Sequence, residues 1–184
     1  IATFSGAVTV DTITIGASDK AGNAKFSSTV AGAATIHGGN ASAEDSLMEI
    51  TGNYTGAIVL SQIGSGDAGF KTSGSTALSI SGAITVTTDG DGVITAANTA
   101  RTTFAAIGVT AKKALSVTVD SGAIATFGST VAAKTLTITG TATVQAADNE
   151  SEVIAMGASS ILYLDDTLTD GNVIFNEVVT TRPI

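Results

Sequence analysis

The 184-residue chain is 43% hydrophobic but only 4% aromatic and 13% charged, with 21 glycines, one proline and no cysteine. Sixteen acids against eight Lys and Arg leave a net charge of −8, which argues against a basic surface for nucleic acid or anionic lipid. The absence of cysteine removes disulfides, thiolate metal sites and thiol nucleophiles, and no run of 18 apolar residues predicts membrane insertion by a helix.

Along the chain, two-residue alternation dominates. Val8 and Val10 are followed by Ile13 and Ile15; Leu78 and Ile80 by Ile84 and Val86. Leu115, Val117 and Val119 make a third set, and Leu136 and Ile138 lead into Ala142 and Val144. Gly, Ser, Asn and Asp stand between the runs, as turn chemistry requires. Helical periodicity is nearly absent; segments 40–50 and 98–115 are the best candidates, and at most one short helix is expected.

The alternation repeats. "FSGAVTVDTITIG" at 4–16 has near-copies at 26–38 ("FSSTVAGAATIHG") and 127–140 ("FGSTVAAKTLTITG"). Segments cut near Phe4, Phe26, Leu47, Phe70, Val93, Leu115 and Leu136, with a closing segment from Ile161, recur at intervals of 21 to 25 residues. Each holds two or three strand-sized runs and ends in a polar break. This pattern predicts an all-β fold over residues 1–184 as a single domain: a β-solenoid of about eight coils of 21–25 residues, forming a rod on the order of 40 Å long. The alternative architecture is a β-sandwich or jelly roll, whose strands alternate in the same way. The isoleucine at position 1 suggests a processed product or an excerpt of a longer chain.

The runs "TVDTITIGA", "ALSISGAITVTTDGDG" and "KTLTITGTATVQAA" resemble the threonine-rich β-strand repeats of bacterial cell-surface proteins: surface-layer proteins, autotransporter passengers and repeat adhesins. The resemblance extends from about residue 4 to 146. It implies an extracellular location at the cell surface, a structural or adhesive role, and in many such proteins dependence on calcium.

Catalysis has little to draw on. His37 is the only histidine, placed at what reads as a strand end, so a non-enzymatic role is expected. A carbohydrate-binding or cleaving solenoid is the alternative function, with Asp165, Asp166 and Asp170 of "YLDDTLTDGN" as its acids, although the sugar platforms such sites use are scarce.

Calcium is the one possible cofactor. "TTDGDGVITAAN" (87–98) places Asp89 and Asp91 two residues apart, Gly92 at a turn and Asn98 at the closing position of a calcium loop. It departs from that pattern at Thr87, where the first carboxylate belongs; the competing reading is a D-G turn between two strands. Asp148, Glu150 and Glu152, and Asp165, Asp166 and Asp170, are further acidic candidates for calcium. The threonine rows Thr12–Thr14, Thr85–Thr87 and Thr135–Thr137–Thr139 permit an ice-binding face, or simply good strand surface.

Together these features predict a protein whose main partner is itself, as a homopolymer in a surface layer, sheath or filament, joined through terminal strands. A cell-surface glycan is a second possible partner.

Overall fold

The computed structural model describes residues 1–17, 20–145 and 151–164, and these residues contain strands and turns but no helix. Every strand pair is parallel, and the chain winds as a β-solenoid of about seven turns. The first rung is β1 (Ala2–Phe4) and β2 (Val8–Ile15); the second is β3 (Asn23–Phe26) and β4 (Val30–Gly38). The third holds β5 (Ser46–Ile50), β6 (Tyr54–Thr55) and β7 (Ile58–Gln62), and the fourth β8 (Ala68–Thr72), β9 (Leu78–Ile80) and β10 (Ile84–Val86). Rung five is β11 (Asp91–Ala96), β12 (Arg101–Phe104) and the bridging residue Ile107; rung six is β13 (Ala114–Val119), β14 (Ile124–Phe127) and the bridging residue Val131. Rung seven is β15 (Ala133–Ile138) and β16 (Thr141–Val144), and rung eight β17 (Val153–Met156) and β18 (Ile161–Leu164).

Three faces result. The first stacks β1, β3, β5, β8, β11, β13, β15 and β17. The second runs from the start of β2 through β6, β9, β12, β14 and β16 to β18. The third runs from the end of β2 through β7 and β10 to Ile107 and Val131. β2 and β4 each serve both of these faces: β4 pairs β6 at Val30 and Ala31, then β7 from Ala34 to Gly38.

Alternation explains the core. On the first face Ala24, Met48, Phe70, Ile94, Val117, Leu136 and Ile154 stand in register and point inward, all buried. On the second face Val8, Val30, Tyr54, Ile80, Phe104, Phe127 and Val144 form the matching column. Phe104 and Phe127 stack with centroids 5.6 Å apart, and Tyr54 meets Phe70 edge-on across the interior at 6.4 Å. Each fully buried large side chain contributes about 1.5–3 kcal/mol relative to exposure. Identical positions recur because each rung rests on the one below.

The corner between the second and third faces is built on glycine. A Cβ on Gly56, whose φ is +130°, would collide with the Gly32 carbonyl oxygen, and one on Gly82 with that of Gly56. The Tyr54 hydroxyl donates to the same Gly32 carbonyl at 2.6 Å, and burial pushes its pKa up to about 12.

Three sequence expectations need correction. Segments 40–50 and 98–115 form strands and turns, because Met48, Ile50 and Phe104 belong to inward columns of period two. The segment at 127–140 is no structural copy of 4–16: Phe4 and Phe26 pair on the first face, whereas Phe127 stacks on Phe104 on the second. The last rung begins at Val153 rather than Ile161, and the column Met48, Phe70, Ile94, Val117, Leu136, Ile154 shows why. Its steps are 22 to 24 residues at first and then 19 and 18, below the expected 21–25.

Candidate functional site

The proposed calcium loop does not form. Segment 87–98 is a corner followed by a strand: the Asp91 N–H closes the turn on the Thr88 carbonyl at 3.2 Å, and β11 then runs extended to Ala96. Asp91 and Asn98 thus lie at opposite ends of a strand, roughly 20 Å apart, too far to share an ion. Asn98 is buried and braces the next corner, its Nδ2 donating to the Thr76 carbonyl at 2.8 Å and to Thr102 Oγ1 at 3.2 Å.

Asp89 is committed to cations of the chain itself. Its Oδ1 accepts from the Lys113 N–H at 2.9 Å, and its Oδ2 pairs with Lys134 Nζ at 2.8 Å. Lys134 and Lys113 both reach Glu152 Oε1, at 2.9 and 3.2 Å. The hydrogen bond from Lys134, with that of the Lys113 backbone, holds Asp89 below the usual carboxylate range; Lys134 and then Lys113 do the same for Glu152. Lys134 is raised in turn by Asp89 and Glu152. These four residues tie rungs five to eight along one edge of the rod, a role that the sequence reading missed.

Asp91 instead continues a column. Pairing of Ser46 with Ala68, and of Val93 with Gly69, sets Asp45, Asp67 and Asp91 one above another. Asp45 Oδ1 accepts from the Asp67 N–H at 2.8 Å. Burial, then repulsion from Asp45 and Asp91, pushes the Asp67 carboxyl up. Their spacings of 22 and 24 residues equal the rung steps, a signal present in the sequence. Among the described residues, no group of three or more His, Asp or Glu side chains converges closely enough to hold a metal ion.

His37 lies near the end of β4 beside Ser61, with its Nδ1 enclosed and without a hydrogen-bond partner. Asp148, Glu150, Asp165, Asp166 and Asp170 lie outside the described residues.

Among the described residues, no strand pairs the outer edge of rung one: β1 pairs only with β3, and β2 only with β4. The Val8 N–H reaches the Thr29 carbonyl at 3.0 Å, and the Phe4 carbonyl accepts from the Ser27 N–H at 2.8 Å. Because backbone groups alternate in direction along a parallel strand, those of Thr3, Thr9 and Thr14 face away from rung two. Inside this edge the interior is uncovered. Phe4 stacks on Phe26 at 4.8 Å yet remains 43% exposed, and a cavity of about 230 Å³ opens between Ala2 and Phe4 on one side and Ile13 and Ile15 on the other. In residues 1–17 the only charged side chain is Asp11.

No protein-family model, curated protein or solved structure matches the chain.

Proposed function

We propose that the chain is a structural module of an extracellular, cell-surface assembly such as a layer, sheath or filament, joined to its neighbours through terminal strands. The observation that carries this reading is the first rung, whose outer edge no described strand pairs. It combines unpaired backbone groups with an apolar, nearly uncharged interior, the combination that favours strand addition. Along the rod the ion pairs Lys25–Glu49, Asp89–Lys134 and Lys134–Glu152 and the Asn98 amide join different rungs, which supports a structural role.

The test is removal of residues 1–10 followed by electron microscopy and sedimentation velocity. The full chain is expected to assemble, and the shortened one to stay monomeric while keeping its strand circular dichroism. Unchanged assembly by the shortened chain, or a full chain that is monomeric at every concentration, would overturn the reading.

A further inference from the structure

We propose that the second face is a lateral interface, packing side by side against the second face of another copy of this chain. This rests on the assembly reading above and adds a contact along the flank of the rod, so strand addition along the axis stays open.

Charge is the first reason. Strands β3, β5, β8, β11 and β15 of the first face carry Lys25, Glu49, Lys71, Asp91 and Lys134. Along β6, β9, β12, β14, β16 and β18 of the second face the only charged side chain is Arg101. Copies with a net charge of −8 repel, and a face without acids is where two of them meet at least cost.

Composition is the second reason. Register stacks Arg101, Ile124, Thr141 and Ile161 in one outward column, and Thr103, Thr126, Thr143 and Tyr163 in the next. Ile124, Ile161 and Tyr163 are 37%, 46% and 55% exposed, large apolar groups left in water on one face. Loss of Lys, Asp and Glu with retention of Tyr and Arg is the compositional mark of an interface core. The third reason is repeat. Columns spaced by one strand step of about 4.8 Å mesh over their whole length only with a surface of the same step, which a second copy has by construction.

Rungs four to eight of this face offer roughly 300 Å² per rod. A stable pair buries about 800 Å² per partner. One pair of rods is therefore weakly held, and the contact gains strength as joined rods align several such patches.

The test uses the full chain, which has no cysteine of its own. Ile124→Cys on the second face and Thr118→Cys on the first both lie in rung six. Each is assembled and treated with a bis-maleimide, and dimer yield is normalised to labelling by a single maleimide. Ile124→Cys is expected to exceed Thr118→Cys at least about tenfold; equal yields, or an excess for Thr118→Cys, overturn the lateral interface. In electron micrographs Ile124→Glu is expected to thin the assemblies to single rods, and Thr118→Glu to leave their width unchanged. Unchanged width in Ile124→Glu, with its strand circular dichroism intact, overturns the interface while axial joining stands. Should Ile124→Glu lose its strand signal, the cross-linking yields decide. Linking at Ile124 in a chain that forms no extended assembly overturns axial joining and keeps the interface; a chain that neither links nor assembles overturns both.

Discussion

Thr72 is the one polar member of a buried column that otherwise reads Phe26, Ile50, Ala96, Val119 and Ile138. Its Oγ1 is fully enclosed and lacks a partner. Thr72→Val keeps the shape and removes an unsatisfied hydroxyl, so a gain of about 1–2 kcal/mol is expected in urea unfolding, with unchanged slope. Asp67 has the opposite chemistry, a charge held where neighbours disfavour it. Its folded pKa lies above the unfolded one, so ionised Asp67 destabilises the fold at neutral pH, and the penalty disappears as the pH falls below about 3.9. Asp67→Asn is therefore expected to raise the melting temperature at pH 7, with the gain fading in acid. A gain of equal size at pH 3 would show that charge is not the cause. Counting residues suggested a liganding role for Asn98, but motif counting carries no information on chain path. The same twelve residues that could curl around an ion instead run straight, because Val93 and Thr95 pair with β13 and Ile94 fills an inward column.

At the level of strands and corners, alternation made most inward residues readable: Ile13 and Ile15, Leu78 and Ile80, Ile84 and Val86 occupy the face that their spacing implied, whereas Val10 and Leu115, named in the same kind of run, are exposed. Phase around the rod was not readable. Phe127 opens a segment that looks like 4–16, yet sits one face further on, because sequence likeness fixes strand-and-turn character and not which face the strand joins. β2 shifts register around Asp11, between Thr9 and Thr12. Corners are set by glycines pressed against the carbonyls below, which makes them sensitive to a single methyl group. Gly56→Ala adds both a collision and a strained φ, and is expected to cost at least about 2 kcal/mol. Gly6→Ala, with open space around it, is expected to stay within about 0.5 kcal/mol. Thermal melts of the two variants side by side separate corner geometry from glycine content; equal losses would remove the corner argument.

For the molecule as a whole, each rung touches chiefly the rungs above and below it, so stability accumulates along one axis and the last free edge matters more than any single contact. Seven rung-to-rung steps at about 4.8 Å give a rod of about 34 Å. The composition had announced such a rod: few aromatics, many small and β-branched residues, and turns rich in Gly and Asp suit a thin repeated section. It could not announce the shrinking of the third face, since Ile107 and Val131 are single residues inside loops and leave no periodic trace. That taper has a mechanical consequence. Resistance of a beam to bending rises steeply with its thickness, so a load applied across this rod is borne most stiffly near β2 and β4 and least near Val131. Under lateral force the molecule should flex toward its slender portion, while its broad portion holds direction.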